Sequence, residues 1–239
     1  MTLCLPPNDG PPRDEAILKY IQDGNYEVSW ATITHTHEGH SAEFWVLSDA
    51  LKIEGVRINV SAELQQKIAD LLESMLPTPM MLDLMWVHRE VTLPPFPRGN
   101  VHGMSSTQAM LEHSYKIDAA LSKLGNPSGL ISTLGKSWCL DQGLVGRPGK
   151  SCNFGWHFTG KSFQGISGEV VRNIGTPLRV IQGRGFAHDK RHTDYSQVCV
   201  LVSQYCVVDG EERNLIDILQ DPVLSYLASY QGPLTILRQ

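Results

Sequence analysis

Between Phe154 and Gln197 the chain concentrates side chains that can move protons or hold ligands. Trp156-His157 stands at one end, and His188-Asp189-Lys190-Arg191-His192-Thr193-Asp194-Tyr195 at the other. Histidine is the side chain whose ordinary pKa lies nearest neutrality, and a neighbouring carboxylate fixes its tautomer. His188 or His192 with Asp194 therefore reads as a base and its orienting group, with Tyr195 as a general acid or an oxyanion donor. Arg184 and Arg191 can clamp a substrate carboxylate through two parallel bonds, and Trp156 offers an apolar wall for substrate. Cys152 and Ser137 are the nearest candidate nucleophiles, though no Gly-x-Ser-x-Gly turn presents either one.

The same imidazoles admit a second chemistry. His188 and His192 are four residues apart, and His157 could fold back to join them. Three such ligands with one open position suit zinc or another divalent metal, which would acidify a bound water and polarise a carbonyl or phosphoryl oxygen. The glutamate of His-Glu-x-x-His is missing. A third reading makes the cluster a hydrogen-bonded architectural knot with no chemistry at all. A second histidine group, His35, His37 and His40, reads as a solvated hairpin loop.

No nucleotide cofactor is expected. Gly183-Arg184-Gly185 lacks the third glycine and following helix of a dinucleotide fingerprint. Gly135-Lys136-Ser137 has the tail of a phosphate-binding loop, but Leu130 stands where its upstream glycine is required.

With 239 residues, 41% of them hydrophobic and 19% charged, the chain fits an ordinary globular domain. No apolar run approaches the ~18 residues of a membrane span. Met1 to Pro7 lacks a basic region followed by an apolar core, so a cytoplasmic protein is expected. Five cysteines without a Cys-x-x-Cys pair suggest reduced thiols. Net charge is −5, unevenly spread. Lys136 to Arg191 holds nine basic and three acidic residues, or +6, leaving −11 elsewhere. A locally basic surface favours an anionic or amide-containing substrate. No nucleic-acid-binding motif is present.

The positioning elements follow from periodicity. Residues 1–14, with four prolines, read as an extended lead-in, and residues 15–239 as a single α+β domain with its polar site in 150–200. Asp14 to Ile21 predicts a short helix; Tyr26 to Ile33, Glu43 to Leu47 and Lys52 to Val60 predict strands. Ser61 caps a helix carrying Leu64, Ile68, Leu71, Leu72 and Met75, and Met80 to Val87 forms a second. Ser105 with Gln108 has the capping-box pattern for a helix striped by Ala109, Met110, His113, Ile117, Ala120, Leu121 and Leu124. Short strands follow. Val198 to Val202, apolar throughout, reads as a strand buried on both faces. Asp209-Gly210 marks a turn, and Leu215 to Tyr230 a helix interrupted at Asp221-Pro222. A mixed or mainly antiparallel sheet packed by several helices results. On this reading the chain is a hydrolase for an amide- or carboxylate-bearing substrate, such as a peptide or cell-wall peptide. A non-catalytic binding or assembly protein is the alternative, and a phosphodiesterase the weaker one.

Overall fold

Helices form where apolar spacing and a capping oxygen coincide. A computed structural model describes residues 3–98, 103–132, 134–164, 166–171 and 177–239. Arg172, Gly165 and Gly175 of the basic, glycine-rich segment lie outside them. Helix α1 is Pro11–Gln22, so Pro11 and Pro12 open a helix instead of extending the lead-in. Proline suits the first turn because its missing N–H has no partner there anyway. Ser61 caps α2 (Ala62–Leu71), its Oγ accepting from Leu64 N–H at 3.2 Å. Thr78 caps α3 (Pro79–His88) in the same way through Met81 N–H. Helix α4 is Thr107–Lys123, capped by Ser106 through Ala109 N–H at 3.2 Å. The cap thus lies one residue later than the Ser105 pattern suggested. Helix α5 (Leu215–Gln220) stops at Asp221, and one 3₁₀ turn, Leu224–Leu227, follows it.

The strands make an α+β arrangement of mostly antiparallel pairs. β1 (Trp30–His37) and β2 (His40–Leu47) form a hairpin, followed by the small hairpin β3 (Lys52–Ile53) and β4 (Val56–Arg57). Lys52 to Val60 is therefore two short strands, not one long one. β5 (Ser74–Met75) follows α2, and β6 (Val91–Thr92) pairs in parallel with β7 (Ile131–Ser132). β8 (Lys136–Cys139) and β9 (Cys152–His157) run antiparallel; β10 (Ser162–Phe163) pairs with β11 (Ile166–Ser167). β12 (Glu169–Val171) and β13 (Leu178–Gly185) complete a four-stranded sheet in the order β12-β13-β9-β8. β14 (Val202–Val208) joins β2, β5 and β15 (Glu211–Asn214) in the other sheet, order β1-β2-β14-β15. Val198 to Leu201 are buried as expected, but regular strand begins only at Val202.

One continuous core joins both sheets to the helices, from Ile17 and Phe44 through Met85, Ile117 and Trp138 to Leu215 and Leu234. Arg57 is buried within it, held by Asp49 through two bonds of 2.7 Å and by Asp118. All five cysteines are free thiols; Cys139 and Cys152 face each other across β8 and β9 with their sulfurs 3.3 Å apart. Among the described residues no helix is long and apolar enough to cross a membrane.

Candidate functional site

The β8-β9-β13 face is set by register. Lys136 and Gln182 both pair with Gly155, while Trp138 and Gly185 pair with Asn153. Alternation places Lys136, Trp138, Asn153 and Gln182 on one face. The approach of the amides explains Gly185: a Cβ there would stand 2.8 Å from both Asn153 Oδ1 and Gln182 Nε2. The loop after β13 lays His188 and His192 over this face. Their rings stack in parallel, centroids 4.1 Å apart, and each meets Trp138 edge-on. Both rings are partly open to solvent, whereas Asn153 is 1% exposed.

Charges around this recess are mutually fixed. Asp194 Oδ2 accepts from Lys136 Nζ at 2.6 Å, and Oδ1 accepts from Ser196 N–H at 2.8 Å and Ser196 Oγ at 2.6 Å. Burial alone would raise the Asp194 carboxyl; Lys136 and Ser196 override it and hold it below the ordinary carboxylate range. Burial lowers His188, and His192 and Lys136 push it the same way. Burial likewise lowers His192, with Asp194 opposing and Lys136 adding. Both imidazoles are therefore neutral near pH 7, the form that accepts a proton. Several buried polar atoms nearby find no partner among the described residues: both amide atoms of Asn153, Gln197 Nε2 and Thr193 Oγ1. Such atoms cost about 1–3 kcal/mol each when left unmet, so the packing under the two imidazoles carries a polar cost.

His157 is elsewhere. Gly155 and Trp156 both take positive φ, 115° and 59°, and this kink in β9 turns His157 toward α3. There its Nε2 bonds Asp83 Oδ1 at 2.6 Å, its ring stacks on Trp86, and Tyr230 hydroxyl donates to Asp83 Oδ2 at 2.6 Å. The adjoining cavity, lined by Ser132, Ser137, Leu82 and Met85, holds about 40 Å³. That suits water, not a substrate, for which pockets usually exceed ~300 Å³. The expected meeting of three imidazoles is therefore split. His157, His188 and His192 do not form a ligand set, and among the described residues no three histidine, cysteine, aspartate or glutamate side chains are placed to hold a metal ion.

Other expected site residues have local duties. Among the described residues no hydrogen bond joins Asp194 to His188 or His192, because Lys136 and Ser196 occupy its oxygens. Tyr195 accepts from Arg98 N–H at 2.8 Å and packs in an aromatic triangle with Trp156 and His113, so Tyr195 and Trp156 are buried packing groups. Arg184 lies 3.4 Å from Asp141, and Arg191, with its side chain 77% exposed, pairs with Asp189 of its own turn. Among the described residues neither arginine bonds a residue of the recess. Cys152 is fully buried against Cys139. In the hairpin group, His40 Nδ1 bonds Asp209 at 2.7 Å and His37 stacks on Tyr226.

Sequence reasoning gave no site role to Asn153, Gln182, Lys136 or Asp83. Asp83 carried a signal: it is the one charged residue between Pro79 and Val87, and a carboxylate in so apolar a helix must find buried partners. No family model matches the chain, nor does any curated protein or solved structure.

Proposed function

We propose that the protein is a hydrolase acting on an amide- or carboxylate-bearing substrate, with a peptide or cell-wall peptide as the preferred class, at the recess of Asn153, Gln182, His188 and His192. The supporting observation is the stacked pair of neutral, partly exposed imidazoles over the β8-β9-β13 face, next to the partly exposed amide of Gln182. A neutral His192 or His188 takes a proton from water as the water oxygen attacks the substrate carbonyl carbon. The carbonyl oxygen gains the negative charge, and an N–H of the partly exposed Gln182 can donate to it. The imidazolium then returns the proton to the departing nitrogen, completing the cleavage. The locally basic segment around the recess supports an anionic or carboxylate-bearing substrate.

The test is release of amino groups from synthetic peptide amides and from purified peptidoglycan. The intact protein is expected to release them, and His192→Ala or His188→Ala to lose roughly a hundredfold or more, as removal of a general base does. Both variants should melt within a few degrees of the parent, since the rings are partly exposed and neither side chain holds a buried hydrogen bond among the described residues. The acid limb of the rate profile should fall below pH 6.5, the ordinary imidazole value. Release that is absent, or equal in both variants, removes this reading.

The specific observation favouring a second reading is that Asp194, the expected orienting group, is taken by Lys136 and Ser196. On that reading the recess binds its ligand without turnover. Calorimetric binding of the same peptides, with no amine released, would select it.

A further inference from the structure

The outward face of the β1-β2-β14 sheet carries three aromatic rings in a row across its strands: Trp30, Trp45 and Tyr205. Thr32 pairs directly with Trp45 and Leu47 with Trp30, so the two tryptophans are diagonal neighbours on one face. The bulge of β14 between Val202 and Cys206 sets Tyr205 beyond them. With Leu72, Glu73, Ser74 and Ser203, the three rings line one shallow cavity of about 370 Å³. Trp30 and Tyr205 remain 42% and 41% exposed. Contiguous aromatic rings with polar groups at their rim are the kind of surface that marks interaction sites.

We propose that this row is a binding platform for a neutral glycan chain. Pyranose rings present flat C–H faces that pack on aromatic faces, and their hydroxyls both donate and accept. The polar groups beside the rings match that need. Glu73 can accept from ligand hydroxyls, and Ser203 can do either. Charge selects the class. Around the aromatic row the outward residues of β1 and β2 are Thr32, Thr34, Thr36, Ser41 and Glu43, with no lysine or arginine to attract an anion. Nucleic acid and acidic polymers are therefore disfavoured. Length fits as well, since a row spanning three strands extends roughly 10 Å at ~4.8 Å per step, about that of a disaccharide. A second copy of this chain fits poorly. At 150–250 Å² per buried aromatic side chain, the exposed portions offer on the order of 200–300 Å², against ~800 Å² per partner in a stable interface.

The platform belongs to the sheet opposite in sequence to the β8-β9-β13 recess and stands or falls independently of the hydrolase reading. The experiment is a fluorescence titration of the intact protein with cellohexaose and with chitohexaose, together with co-sedimentation on insoluble cellulose and chitin. Saturable quenching of tryptophan emission by at least one hexasaccharide is expected, and which one responds identifies the sugar. Trp30→Ala and Tyr205→Ser should each weaken it tenfold or more while melting within a few degrees of the parent. Should Trp30→Ala fold poorly, Tyr205→Ser, which alters an exposed ring on another strand, carries the test. No saturable response to either sugar, or undiminished binding by a folded variant, overturns the proposal. So does a concentration-dependent dimer, seen by sedimentation, that Tyr205→Ser abolishes.

Discussion

Replacing Asp83 with alanine should destabilise the fold by about 3–5 kcal/mol, the usual consequence of removing one member of a buried polar network. Asp83 is fully buried on α3, and its two oxygens serve different partners: His157 Nε2 at 2.6 Å and Tyr230 hydroxyl at 2.6 Å. These partners come from β9 and the C-terminal segment, so one carboxylate ties three distant stretches together. In the alanine variant an imidazole N–H and a phenol O–H lose their acceptor, and the buried His157 ring, packed on Trp86 and Phe154, cannot reach bulk water without repacking them. Urea unfolding should show the loss as a lower midpoint, and thermal unfolding as a fall of roughly 10–15 °C for a chain of this size. Tyr230→Phe should cost less, about 1.5–3 kcal/mol, since it leaves Asp83 still bonded to His157. The triple replacement Asp83→Leu, His157→Phe, Tyr230→Phe should recover much of the loss, because an apolar substitute for a whole network leaves nothing unmet. A loss below 1 kcal/mol for Asp83→Ala would show that the network carries little of the fold.

That network explains both what the sequence disclosed and what it concealed. Helix α2 was legible because apolar spacing and a capping hydroxyl agreed, although it ends at Leu71 and Met75 lies in β5; α3 was legible as an apolar run after prolines, its Thr78 cap unread, and α4 nearly so. Ser105 and Ser106 are adjacent; Gln108, which seemed to complete a capping box with Ser105, instead bonds Glu112 one turn on. The reciprocal bond is missing, and Ser106 makes the cap. The α+β class was legible from the change of periodicity after α4. The polar site was legible as a density of titratable groups but not as a geometry. His157 lies beside Trp156 in a segment rich in functional residue types, yet two successive positive-φ residues rotate it to the other side of β9. Its true partners stand 74 residues away and, through Asp83, a further 147. Separations of that size leave no local periodic trace. Lys136 was legible only as charge, whereas its role as counter-ion of Asp194 depends on two strands and a loop closing together.

Stability should also depend on pH through His113, a residue that no substrate needs to touch. Its ring is 2% exposed, set edge-on against Trp156 and Tyr195, and its Nε2 finds no partner among the described residues. Burial pushes this imidazole down from 6.5 to about 4, although Asp194 pulls the other way. In the unfolded chain the same group takes up a proton near pH 6.5, whereas in the fold it resists until about pH 4. Between those values the unfolded state binds more protons, so stability falls as pH falls. The contribution is fully present above pH 6.5 and is lost on acidification through the window down to about 4. A gap of that width amounts to about 3 kcal/mol. His113→Phe keeps an aromatic ring against Trp156 and Tyr195 but cannot titrate. Denaturant midpoints measured from pH 7 to pH 4 should therefore decline less steeply in His113→Phe, the difference between the two proteins reaching about 3 kcal/mol at the acid end. Parallel curves for the two would mean that the imidazole opens to water before it charges, and the aromatic triangle would then be a looser joint than its packing indicates.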